Sequence, residues 1–89
     1  MEISMKLKEI KNKLTHFFED EKGNIQGEYK QYYSNSNNRL FIHCYYKDGK
    51  LQGEYKLYNI DSSLKYTKYY SNGKDVTDMY HKLKTWKSL

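Results

Sequence analysis

Between residues 15 and 74 apolar and polar positions alternate in short runs, each closed by a cluster of Gly, Asn, Asp or Ser. That period of two predicts antiparallel strands near 15–20, 26–33, 40–47, 51–59 and 64–71. Within them Tyr29, Tyr33, Leu40, Ile42, Cys44, Tyr46, Tyr55, Leu57, Leu64, Tyr66 and Tyr70 fall to one set of faces, and Tyr32, Phe41, His43, Tyr45, Tyr58 and Tyr69 to the other. Both faces are partly aromatic, and one sheet cannot cover both with itself. KDGK at 47–50 and SNGK at 71–74 carry the Asp-Gly and Asn-Gly pairs of tight type I′ hairpins. The ends change period. Ile3, Leu7, Ile10 and Leu14 predict an amphipathic helix over 1–14; Val76, Met79, Tyr80, Leu83 and Trp86 predict a second over 75–89, with Asp75 able to cap it. The expected fold is mainly β: a single domain, 1–89, holding an antiparallel meander of hairpins over 15–74 with a helix at each end as a cover.

The meander repeats itself. GNIQGEYKQYY from Gly23 returns as GKLQGEYKLY from Gly49, so that Glu28, Tyr29, Lys30 and Tyr32 fall on Glu54, Tyr55, Lys56 and Tyr58. LFIHCYYKDG from Leu40 lies over LKYTKYYSNG from Leu64, the first unit carrying two extra residues in SNSNNR. Two supersecondary units of one kind predict an array in which each unit buries its apolar surface against the next.

Composition adjusts this reading. At 89 residues the chain buries only about 60–65% of its unfolded surface, and its hydrophobic content is 37%, with eleven Tyr among its aromatics. The core is expected to be thin and tyrosine-rich. A single cysteine, Cys44, excludes an internal disulfide, and no apolar run suits a signal segment or a membrane span. A soluble cytoplasmic protein, of a bacterium or of a cell carrying a phage or virus, is the expectation. The net charge of +5 comes from lysine almost alone, with Arg39 the sole arginine, which weakens the case for bidentate phosphate reading.

The pattern DGKLQGEYKLY followed by LKYTKYYSNGK resembles the second class of MORN repeats found in YwqK-type bacterial antitoxin proteins, most strongly at Gly49, Lys50, Gly53, Tyr55 and Tyr58. Asn24 stands where the pattern has Lys, and GKDVTDMY lacks the second glycine and the aromatic strand. The resemblance implies a curved sheet of stacked hairpins that binds and does not catalyse, with neutralisation of a toxin as a typical role.

The chemistry-bearing residues fit that expectation. His43 and Cys44 are neighbours on a strand and so point to opposite faces, which separates nucleophile from base. His16, His43 and His81 show no metal-ligand spacing, and no Gly-rich phosphate loop is present. No enzyme activity, cofactor or metal is expected. The expected role is that of a non-enzymatic inhibitor or antitoxin-like module that blocks a protein partner such as a nuclease or toxin, a phage-encoded inhibitor of a bacterial defence nuclease being one form of it. The candidate contact residues are Tyr32, Phe41, Tyr45, Tyr58 and Tyr69, with Lys30 and Lys56 beside them, because tyrosine offers large, rigid contact area. The alternative is a single-stranded RNA or DNA platform built from the same tyrosines and lysines. Two units make a thin array, so a homodimer is a further expectation.

Overall fold

The computed structural model describes residues 6–34 and 38–87, with side chains to residue 83. The strands are β1 Lys8–Lys11, β2 Thr15–Glu19, β3 Gly27–Tyr32, β4 Leu40–Lys47, β5 Lys50–Leu51, β6 Gly53–Tyr58, β7 Leu64–Ser71 and β8 Lys74–Asp75, followed by α1 Thr77–Lys87. They form one antiparallel sheet in the order β1-β2-β3-β4-β6-β7-β8, with β5 also paired to β4. The protein is therefore a mainly β meander with, among the described residues, one short helix at the C-terminal end.

Among the described residues, 6 onward, the helix expected over 1–14 is not there. Residues Lys8–Lys11 are a strand in register with β2, Ile10 opposite Phe17 and Lys11 opposite His16; Ile3 lies outside the described residues. The turn is made by Asn12, whose side-chain oxygen accepts the N–H groups of Leu14 and Thr15, both at 2.9 Å. An Asx turn of this kind offers the backbone a hydrogen-bonding option that competes with helix. Pairing also gives β2 a neighbour on its outer side, which a helix could not supply. The triplet Glu9-Ile10-Lys11 repeats Glu28-Tyr29-Lys30 and Glu54-Tyr55-Lys56, and its strand occupies the equivalent place in its hairpin. The array thus holds three hairpins.

Successive hairpins are joined in one recurring way. The N–H of Gln26 bonds to the carbonyl of Phe18, that of Gln52 to Tyr45 and that of Val76 to Tyr69, at 2.9, 2.9 and 2.8 Å. Gly27 and Gly53 follow with φ of 81° and 89°, a left-handed conformation that glycine adopts without strain and that lets the strand resume after the interruption. Each hairpin turn also leans on the unit before it: Gly49 N–H reaches the Ile25 carbonyl at 3.0 Å and Gly73 N–H the Leu51 carbonyl at 2.9 Å. Gln26, one of two buried residues among those described, uses its amide to accept the Asp48 N–H at 3.0 Å and to donate to the Asp48 and Asp20 carboxylates at 2.7 and 2.9 Å. Gln52 accepts the Asn72 N–H at 2.8 Å. The turns are of the expected kind, with φ positive at both Asp48 (52°) and Gly49 (80°), and at Asn72 (54°) and Gly73 (85°).

The result is flat, 44 × 44 × 19 Å. Apart from α1 on β7, substantial contacts between elements are those of neighbouring strands. Cys44 is the one fully buried apolar residue described, at 1% exposure. At the C-terminal end Asp75 accepts the N–H of Thr77 at 3.0 Å and its hydroxyl at 2.6 Å, while the Thr77 hydroxyl oxygen accepts the Tyr69 N–H at 2.9 Å. Asp75 therefore caps α1 as expected, and these bonds hold its carboxyl below the usual range. Met79, Tyr80 and Leu83 remain exposed, so α1 is an appendage to β7 and covers little of the sheet. The Trp86 side chain lies outside the described residues.

Candidate interaction surface

The sheet has two chemically different faces, and the strand register defines them. On one, Phe17 packs against Tyr29, Tyr29 against Tyr46 and Tyr55 against Tyr70, with ring centroids 5.5, 5.5 and 5.7 Å apart. Cys44 sits among them opposite Tyr29, and Ile42 pairs with Leu57, itself opposite Tyr66. Burial pushes the Cys44 thiol up to about 12 and the Tyr55 phenol up to about 12; Tyr29 and Tyr46 are raised for the same reason. This is the apolar face.

The other face carries two parallel rows. Following the register strand by strand, Lys11, His16, Lys30, His43, Lys56 and Thr67 stand side by side across the sheet. In the next row Glu9 faces Phe18, Glu28 faces Tyr45 and Glu54 faces Tyr69. Hydrogen bonds and ion pairs knit the rows: Glu9 is hydrogen-bonded to His16 at 2.6 Å and Glu28 to His43 at 2.8 Å, while Glu28 pairs with Lys30 at 3.6 Å and Glu54 with Lys56 at 3.0 Å. The His43 hydrogen bond, then the Lys30 charge, holds the Glu28 carboxyl below its usual range, and the Glu54 carboxylate raises the Lys56 ammonium. His43 and Cys44 do lie on opposite faces, so they form no dyad. Among the described residues no group of His, Cys, Asp and Glu is placed to hold a metal ion, and no helix is long and apolar enough to cross a membrane.

The seven residues singled out in the sequence are placed unequally. Lys30, Lys56 and Tyr45 belong to the two rows, and Tyr45 is exposed, at 40%. Tyr69 shares their face but stacks under Tyr80 of α1, with centroids 3.7 Å apart at 15°. Tyr32 and Tyr58 are half-buried and stand where the register slips, opposite Leu40 and Leu64. Phe41 packs on Tyr33 at 4.7 Å, and the Tyr33 hydroxyl donates to the Tyr58 carbonyl at 2.7 Å. Tyr45 and Tyr58 are both close enough to Lys56 to act on its charge, which groups these three. The residues of the two rows that the sequence reading left out of the contact set are Glu9, Glu28 and Glu54, with His16, Phe18 and His43. Their signal was the thrice-repeated Glu-apolar-Lys triplet, which places an acid and a base two residues apart on one face of every unit.

The hollows on this surface are open. One of about 540 Å3 lies between the last turn and α1, lined by Val76, Met79, Tyr80 and Leu83 among others. No protein-family model, curated protein or solved structure matches the chain.

Proposed function

We propose that the chain is a non-enzymatic, MORN-like binding module of the second class that acts by occupying the surface of a protein partner, as an inhibitor or antitoxin-like protein does. Its contact surface is the two-row face, centred on Tyr45 with Lys30, Lys56 and Tyr58 around it. The observation that carries this reading is the exposed Tyr45 ring set among paired charges at the middle of a sheet. An aromatic anchor ringed by polar groups of both signs is the usual make-up of a protein contact. The same pairing counts against RNA or DNA as the ligand. Lys30 and Lys56 are each engaged by a glutamate two residues away, and a phosphate backbone would meet a carboxylate beside both.

The test is capture of partners from host lysate on the tagged chain, with nuclease treatment and a high-salt wash. A protein partner that survives both, and that is lost with the double substitution Tyr45→Ser and Tyr58→Ser while the thermal midpoint moves by only a few degrees, meets the expectation. Recovery of nucleic acid alone, falling steeply with salt, would replace it with the platform reading.

A further inference from the structure

We infer that the apolar face around Cys44 is the contact surface of a homodimer, two copies packed sheet on sheet. This rests on the face opposite to the one in the proposed function, so the two readings stand or fall separately.

A folded domain ordinarily has two layers, because a sheet with one apolar face must bury it against something. Here no described element crosses that face: α1 lies on the other side, against Tyr69, and the remaining substantial contacts are between neighbouring strands. Tyr66 is left 38% exposed, with Phe17, Ile42, Tyr55 and Leu57 only partly covered. A compact chain of this mass exposes about 5,500 Å2, whereas this one exposes 7101 Å2.

The face also has the anatomy of a contact. Its charged residues lie at the margins. Lys8 and Glu19 stand opposite each other in the β1–β2 register, and Lys68 lies at the β7 edge, 3.9 Å from Asp75 with its ammonium 5.2 Å from the Tyr66 ring centre. Between them, from Phe17 to Leu57, the exposed groups are apolar side chains, tyrosines and the neutral Gln31. An apolar centre with a charged rim is how stable interfaces are built. The patch spans five strands, roughly 24 by 20 Å at ordinary strand spacing, so two such faces together remove about 1,000 Å2 from water, the lower end of the range for a specific dimer.

Two arguments choose a second copy as the occupant. The centre of the patch bears no charge with which to select a different protein. The cover is also needed whenever the chain folds, since an 89-residue single layer has almost no interior of its own, and only another copy is present at every such moment. Related by a twofold axis, the neutral centres meet and the rims lie around them.

Sedimentation of the full chain from about 1 to about 200 µM tests this, together with its thermal midpoint over the same range. The expected result is a species of twice 10.8 kDa, whose association tightens as salt screens the +5 on each copy. Its midpoint should rise with concentration. Tyr66→Lys puts a charge into a position that the isolated chain leaves open to water, and should weaken the dimer by about 100-fold or more; Tyr45→Ser, on the opposite face, should leave it intact. A species of 10.8 kDa throughout, with a concentration-independent midpoint, overturns the inference. So does a dimer that tolerates Tyr66→Lys but is lost in Tyr45→Ser. The wild-type midpoint decides the matter even if Tyr66→Lys does not fold.

Discussion

At Gly53 and at Thr77 the chain stands at the same point of its repeat and leaves in different directions. Both follow a hairpin turn, a two-residue strand and an interrupting residue whose N–H reaches back to the preceding strand, Gln52 to Tyr45 and Val76 to Tyr69. Gly53 then takes φ of 89° and the strand resumes as β6. Thr77 is β-branched, for which a positive φ is a severe outlier. It opens α1 instead, its N–H and hydroxyl both held by Asp75. One residue type at one position separates a unit that propagates the sheet from one that ends it.

The sharpest way to break this contrast is Gly53→Val. A Cβ at Gly53 meets nothing within 4 Å, so the cost is chiefly that of the backbone conformation, about 2–3 kcal/mol for a branched residue. Equilibrium denaturation should show it, and Gly53→Asn, which tolerates the left-handed region, should lose clearly less. Equal losses would place the effect elsewhere than in φ. Next in size is the residue just before. Gln26→Leu strands the Asp48 N–H and two carboxylate contacts of a buried amide, for about 1–3 kcal/mol, while Gln52→Leu forfeits one bond at an exposed site and should cost less than half of that.

A smaller effect lies on the alkaline side. Cys44 and Tyr55 are each pushed up to about 12 by burial. The unfolded chain therefore releases these protons at lower pH than the folded one, so the stability is full below the ordinary thiol and phenol range and is lost as pH rises toward 12. Denaturation midpoints should be level near neutrality and fall from about pH 9 upward, and iodoacetamide at pH 8 should modify Cys44 only as fast as the chain opens. Smallest is Asp75→Ala, which removes the cap of α1 and leaves the sheet intact. It should reduce the helical circular dichroism signal and lower the thermal midpoint by a few degrees at most. Its carboxyl sits below its normal range, so the cap persists above the ordinary carboxylate value and is lost as pH falls through the depressed one.

The five central strands, both hairpin turns and most of the two-face division were legible in the alternation and in Asp48-Gly49 and Asn72-Gly73, because a period of two and turn chemistry are local properties. The division fails at the unit ends, where the register slips and brings Tyr32 opposite Leu40, Tyr58 opposite Leu64 and Tyr33 onto Phe41. The first hairpin was not. Its apolar residues are few, and Ile3, Leu7, Ile10 and Leu14 satisfy a helical spacing as readily as Ile10 satisfies an alternating one. What decides the matter is the open edge of β2 and the Asn12 turn, one a tertiary fact and the other a single side chain. Of the candidate surface, the tyrosines and lysines could be read from the repeat. The glutamates that engage those lysines stand in the same repeat, but their pairing depends on side-chain geometry that the alternation does not specify, and the stacking of Tyr69 under Tyr80 depended on where the helix would fall.

Each unit's contacts run to the unit before it and the one after, through a glutamine, a glycine N–H and one strand edge. Among the described elements nothing substantial spans two junctions. The molecule can therefore be lengthened as a sentence is, by inserting a clause: a further copy of the unit placed between Ser71 and Lys74 would find its donors and acceptors already set out by β7 and would pass them on unchanged to whatever follows.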